Sequence, residues 1–242
     1  MRGDAPPAAQ PKHLNLHHCR AAVTGLLPDA RVRLHHGEID ERTPRDERRH
    51  AMTTWFTADL HLSHENIISF CNRPFPDAAT MDARMIAELQ VRVRPEDDLW
   101  ILGDFAISKA TVTQRAAVRA MFDVIPGRKH LIVGNHDRSW IRELPWNSVA
   151  PMADIVVDGR RLFLCHYPMI TFPGARRGAL QLFGHVHQNW PGTRNSINVG
   201  VDRWGFCPVT LPEIEERARH LPVNRHWDEV EPGCPLSTES GD

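Results

Sequence analysis

The sequence predicts an α/β fold, and three observations carry that prediction. From Met52 onward, short apolar runs alternate with amphipathic helical stretches through the first half of the chain. Beyond residue 150 the strand-like runs follow one another closely. Several runs end directly in Asp, Asn or His, and ligand sites in α/β sheets lie just past the carboxyl ends of strands.

Residues 1–51 carry Pro- and Ala-rich pieces, paired histidines and a charge run from Glu38 to Arg49, without strand alternation. They read as an N-terminal extension, either flexible or the product of a start codon taken too early. His13, His17, His18, His35, His36 and His50 follow no strand and read as solvated. A domain over residues 52–224 comes next. Its expected strands are 53–58, 98–102, 130–133, 153–157, 161–165, 180–183, 195–199 and 207–210; its expected helices are 64–71, 80–93, 111–123 and 212–220. In the helix at 80–93, Met81, Met85, Ile86, Leu89 and Val93 recur at helical spacing, with Thr80 as N-cap and Pro95 as stop. The strands after 150 read as hairpins joined to the first sheet. Residues 225–242 are polar with Pro and Gly and read as a loose tail.

Composition narrows the function classes. The chain has 242 residues with 41% hydrophobic content, enough for one sizeable core. Its 29 basic and 30 acidic residues leave a net charge of -1, without the basic excess of a dedicated nucleic-acid binder. The five cysteines form no CxxC pair, which argues against a disulfide framework or structural zinc and fits the cytoplasm. The N-terminus has no apolar signal region, and no apolar run nears the roughly 20 residues of a membrane span.

Five apolar runs end in metal-capable residues. The run Thr54-Trp55-Phe56-Thr57-Ala58 leads into Asp59-Leu60-His61, and Leu99-Trp100-Ile101-Leu102 into Gly103-Asp104. Leu131-Ile132-Val133 leads into Gly134-Asn135-His136-Asp137, Leu162-Phe163-Leu164-Cys165 into His166, and Leu180-Gln181-Leu182-Phe183 into Gly184-His185-Val186-His187. Spacing of i, i+2 on an extended segment puts Asp59 with His61, and His185 with His187, on one side. The glycines before three of the motifs allow unusual backbone angles and close approach. Taken singly, DxH is a common surface pair and Gly-Asp a common turn; the last motif suits transition metals better than a chance pair does. Cys165 reads as a small strand hydrophobe.

The order D-x-H, G-D, G-N-H-D, H, G-H-x-H resembles that of the calcineurin-like metallophosphoesterase superfamily over residues 52–211. Trp55-Phe56-Thr57-Ala58-Asp59-Leu60-His61, His64-Glu65-Asn66-Ile67-Ile68, Asn72-Arg73-Pro74-Phe75, Cys165-His166-Tyr167-Pro168-Met169 and Asn198-Val199-Gly200-Val201-Asp202 resemble a bacterial and phage subfamily of small phosphoesterases. The resemblance implies a four-layer α/β/β/α sandwich with a dinuclear metal site at the carboxyl ends of strands. It implies that Asp59, His61 and His187 hold one metal, that Asn135, His166 and His185 hold the other, and that Asp104 bridges them. Oxygen and nitrogen ligands suit Mn, Fe, Zn, Co or Ni, with Mn the first choice in vitro. The implied reaction is in-line attack of a metal-bridging hydroxide on a small phosphomonoester or phosphodiester, with His136 as general acid and Asp137 orienting it. His64, Arg73 and Arg128 are expected phosphate contacts, Tyr167 and Trp204 expected stacking surfaces, and Asp202 a residue fixing a nearby loop. Two alternatives stand beside this reading: a nuclease on the same site, disfavoured by the balanced charge and the short chain after 211, and a catalytically silent metal-binding interaction module. The implied partner is a small phosphorylated substrate, with no membrane; the oligomeric state is left open.

Overall fold

The computed structural model describes residues 52–230 and Pro232. The expected N-terminal extension, with its six histidines, and tail residues 231 and 233–242 lie outside the described residues.

Strands β1 (Thr54–Thr57), β2 (Asp98–Leu102), β3 (Arg128–Ile132) and β4 (Ser148–Ala150) lie side by side in parallel. Their crossovers hold α1 (Glu65–Phe70) and α2 (Ala78–Arg92), then α3 (Val112–Val124), then α4 (Ser139–Arg142). A second sheet contains β5 (Met152–Val157), β6 (Arg160–Cys165), β7 (Leu180–Phe183), β8 (Gly192–Thr193) and β9 (Ser196–Asn198), in the order β5-β6-β7-β9-β8. β10 (Val209–Thr210) returns to the first sheet, antiparallel to β1, and leads into α5 (Leu211–Arg219) and α6 (Trp227–Val230).

Strands β5 to β9 therefore build a sheet of their own instead of extending the first, while β10 does extend it. β5–β6 and the short β8–β9 are hairpins of the expected type; β6, β7 and β9 pair in parallel. The expected elements did not include β4, β8, α4 and α6, which have two to four residues each and are too short for periodicity to mark.

The two sheets share one core. Phe56, Ala58, Leu102 and Ile132 of the first meet Leu162, Leu164, Leu180, Leu182 and Ile197 of the second, and Leu211, Ile214 and Ala218 of α5 join them. On the other face of the first sheet, Leu99, Ile101 and Leu131 are covered by Met81, Met85 and Leu89 of α2 and by Val118 and Phe122 of α3. Each such side chain contributes about 1.5–3 kcal/mol relative to exposure. On the outer face of the second sheet, Phe163 and Cys165 pack against Phe172, Ala175 and Ala179. That covering segment has one 3-10 turn, Ala175–Arg177, where a helical fourth layer was expected. No helix among the described residues is long and apolar enough to cross a membrane.

Local signals act as they should, with one correction. The N-cap of α2 is Asp77, whose carboxylate accepts the Thr80 N–H at 2.7 Å, so the helix starts at Ala78 and Thr80 sits in its first turn. α2 ends at Arg92, before Pro95, as expected. At the amino end of the first sheet, Asp97 is 2% exposed and accepts from the Thr53 N–H (2.9 Å), the Trp55 indole (3.1 Å) and the Arg94 N–H (2.9 Å). An Asp97→Ala variant strands three donors. We expect it to lose about 1–3 kcal/mol of stability in urea denaturation, the cost of one unsatisfied buried group, since the donors are partly open to water; a loss under about 1 kcal/mol would show that water replaces the carboxylate.

Candidate metal centre

The carboxyl ends of the central strands converge. Ala58 pairs with Gly200 across the two sheets, and the Val201 N–H donates to the Ala58 carbonyl at 3.0 Å. The parallel pairing of β1 with β2 runs on past the strand ends: Asp59 N–H donates to Gly103 O (3.0 Å) and His61 N–H to Asp104 O (2.9 Å). Five of the seven expected ligands have positive φ: Asp59 (58°), His61 (51°), Asp104 (55°), His185 (70°) and His187 (49°). Non-glycine residues rarely accept that conformation, and such strain gathers at functional sites.

The glycines act differently from one another. Gly103 itself has φ +87°. Gly134 and Gly184 do not; they permit close approach, because a Cβ on Gly134 would meet the Asp104 carboxylate and one on Gly184 would lie 2.7 Å from Asp59 Oδ2. The angular freedom is thus taken up mainly by the ligands.

The expected ligands form two groups of donor atoms. Asp59, His61 and His187 offer atoms all within 4.8 Å of one another, and so do Asp104, His166 and His185. Asp104 lies between the groups, with Oδ2 3.5 Å from His61 Nε2 and 3.5 Å from His166 Nε2. Its other oxygen accepts the His136 N–H at 2.8 Å. Asn135 Oδ1 is 3.0 Å from both His166 Nε2 and His185 Nδ1, which places it in the second group. The fit to a metal rests on an orphaned residue: both ring nitrogens of His61 are buried without a hydrogen-bond partner among the described residues. Imidazole nitrogens so placed, next to carboxylates and with no thiolate among the seven expected ligands, fit a divalent cation.

Outer partners fix which nitrogen faces inward. His166 Nδ1 lies 2.8 Å from the Leu102 carbonyl, and His187 Nδ1 lies 2.8 Å from Asp202 Oδ2, so each presents Nε2 to the site. Arg73 holds Asp202 through bonds of 2.8 and 2.9 Å and donates to the carbonyls of Asp59 (2.7 Å) and Leu60 (3.1 Å).

Four expected roles need correction. Arg73 is 5% exposed and its guanidinium is engaged within the protein, so it positions the site instead of meeting phosphate. Arg128 opens β3 at the opposite end of the sheet, paired with Asp98 at 2.8 Å through both Nε and Nη2. Asp137 does not touch the His136 ring; its carboxylate accepts the N–H groups of Asp104 (2.9 Å), Phe105 (2.9 Å) and Gly134 (2.8 Å), locking two ligand turns together. Trp204 packs under Arg217, at 3.3 Å to the ring centroid, and donates to Asn198 O at 2.8 Å. Two other expected contacts do sit at the site. The His64 ring caps α1 and lies 5.5 Å from His61 and 6.2 Å from His136, and Tyr167, 44% exposed, lies 4.6 Å from His185. Asp202 fixes His187, as its expected loop role suggests. One neighbour was not expected: Cys71, buried beside His187 and Asp202, which nothing in its local sequence marks.

Electrostatics sharpen the site. Burial pushes Asp59 up to about 6, against the pull of His166 and His187. Burial also opposes ionisation of Asp104, yet the hydrogen bond and charge of His166, with His61, bring it down to about 2. Burial holds His61 well below the ordinary histidine value. For His187 burial is overcome by the bonds to Asp202 and Cys71, which raise it to about 10. The sign follows: the raised His187 stabilises the metal-free fold fully below its ordinary value of 6.5, and that contribution is lost as pH rises toward 10. A ligating histidine must give up its proton. Against burial, the bond to Asp104 and the charge of Asp59 raise His166 as well, so binding of Mn at pH 7 should release protons from both His187 and His166, and more as pH falls toward 6 and Asp59 joins them. Calorimetry in buffers of different ionisation enthalpy reads their number; zero release would exclude His187 as a ligand.

Comparison with known proteins places this architecture in a family. No family model matches. Over 197 residues the chain is 31% identical to the Gene 66 protein of Mycobacterium phage D29, covering 69% of this chain and 96% of that one. The two belong to one family. An uncharacterized protein of Methanocaldococcus jannaschii belongs there too, at 30% identity over 66% of this chain and 88% of its own. Among solved structures, a protein of unknown function from Aquifex aeolicus superposes with a TM-score of 0.57 and 26% identity, over 69% of this chain and 99% of that one. The Escherichia coli phosphoesterase YfcE superposes at a TM-score of only 0.39 with 18% identity, over 62% and 78% of the chains, a likeness that decides nothing about activity. The family names carry no activity, so function has to be argued from the site.

Proposed function

We propose that this family member is a metal-dependent phosphoesterase acting on a small phosphomonoester or phosphodiester, such as a nucleotide. The observation that supports this most is the placement of Asp104 Oδ2, 3.5 Å from one imidazole of each ligand group. A carboxylate there offsets the repulsion of two cations about 3.5–4 Å apart. In this reading Asp59, His61 and His187 hold one divalent ion, Asn135, His166 and His185 hold another, and Asp104 serves both. Bound together, two such ions supply Lewis acidity toward a phosphoryl group and a nucleophilic water at neutral pH.

The chain's own residues do the rest. Asp137 and Arg73 hold the ligand turns in place, through the bonds already described. The rings of His136 and His64, side by side near His61, stand ready to donate a proton to the leaving oxygen and to bind a phosphoryl oxygen. Tyr167, half open to solvent beside His185, offers a face to a base or aromatic leaving group. The test is turnover with Mn on p-nitrophenyl phosphate, bis-p-nitrophenyl phosphate, cyclic nucleotides, dinucleoside polyphosphates and single-stranded DNA. We expect turnover on at least one small ester. Full metal occupancy with no turnover on any would favour the silent module, and turnover on DNA alone the nuclease.

A further inference from the structure

α2 and α3 run side by side over the first sheet, and a cavity of about 580 Å³ opens between them. That volume is typical of small-molecule sites. Its walls are apolar and low, with Ala83, Ile86 and Ala87 on α2 facing Ala117 and Met121 on α3. One part of the lining is polar, built from Ser63, Glu65, Asp82 and Gln114, and no basic side chain lines the cavity.

Asp82 is the unusual member. It is 6% exposed. Its Oδ2 accepts both the Ser63 N–H (2.9 Å) and the Ser63 hydroxyl (3.4 Å), while Oδ1 is buried with no hydrogen-bond partner among the described residues. Arg73, a nearby cation, commits its guanidinium to Asp202 and two carbonyls. Burial accordingly pushes the Asp82 carboxyl up to about 7. A buried acceptor without a donor is costly, and a donor that reached it would recover that cost.

We propose that the cavity between α2 and α3 binds a small cationic amphiphile, a primary amine on a compact apolar body, whose head donates to Asp82 and whose body lies on the alanine-lined wall. Size excludes a docking helix, and the acidic, base-free lining selects a cation over an anion. The occupant would also be felt at the metal centre. Ser63, which Asp82 holds, has φ +61° and follows His61 by two residues, and its carbonyl accepts Gln114 Nε2 at 3.4 Å. This inference does not depend on the phosphoesterase reading.

The test uses the full chain without metal, with benzylamine as probe and benzyl alcohol as its uncharged counterpart, followed by amide NMR titration. We expect saturable benzylamine binding that shifts the Ser63 and His64 amides, and at least about tenfold weaker binding of benzyl alcohol, the equivalent of 1.4 kcal/mol. Ala83→Trp, a change at an exposed helix position that fills the cavity, should weaken benzylamine at least about tenfold. Asp82→Asn should remove the preference for the amine; if that variant does not fold, the amine-to-alcohol ratio in the unmodified chain still decides. Absence of saturable binding, equal binding of the two probes, or unchanged binding by Ala83→Trp would overturn the proposal.

Discussion

Asp104→Asn is expected to lower kcat/KM on p-nitrophenyl phosphate by at least about 10³-fold, or about 4 kcal/mol at 1.36 kcal/mol per tenfold. It should also reduce bound Mn measured by elemental analysis. The substitution keeps the shape of the side chain and an oxygen able to accept the His136 N–H, now bonded at 2.8 Å. It removes the negative charge between the two ligand groups, 3.5 Å from an imidazole nitrogen on each side. Without that charge the repulsion between two cations is uncompensated, so the loss falls on metal content and turnover together. The fold should survive, because Asp137 ties the ligand turns together through three backbone N–H groups and the amide oxygen of the variant can keep the bond to the His136 N–H. A folded variant with full metal content and more than about a tenth of the activity would remove Asp104 from the bridging position.

The second large effect separates from the first by its readout. His136→Ala should cut turnover about 10²–10⁴-fold, the range of positioned acid catalysis, and leave metal content unchanged. The His136 ring centroid lies 5.1 Å from that of His61. Its backbone N–H is engaged, with Asp104 at 2.8 Å, and survives the substitution. The deficit should grow for phenyl phosphate, whose leaving oxygen needs a proton, and shrink for p-nitrophenyl phosphate, whose leaving oxygen needs it less. A deficit equal on the two esters would assign His136 to binding; loss of metal would make it a ligand.

Much of the site is legible in the sequence. An apolar run followed by Gly and then Asp, Asn or His says locally that a buried strand ends and a polar turn begins. The strands behind all five motifs form, and each expected ligand reaches one of the two groups or, as Asn135 does, hydrogen-bonds within one. What failed was the assignment of partners to charged residues. Arg73 and Arg128 read alike in the sequence, yet one is buried against Asp202, 129 positions away, and the other is exposed on Asp98 at the far end of the sheet. Asp137 sits next to His136 in the chain but spends its carboxylate on backbone N–H groups 32 and 33 positions back.

The physical division is between properties of a segment and properties of a contact. Strand and helix periodicity, turn chemistry and the supply of oxygen and nitrogen ligands are written into segments of four to fifteen residues, and they specified an α/β chain with a metal-capable set at its strand ends. Whether the later strands joined the first sheet or formed a second one depended on parallel pairing of β6, β7 and β9, which periodicity does not encode. Tertiary packing alone brought Asp104 between His61 and His166, turned His187 by its bond to Asp202, and left Asp82 facing Ser63 with one oxygen unpaired. Each of these depends on where a buried polar atom finds its partner, and desolvation makes that choice costly to leave unmade and impossible to read from neighbours in sequence.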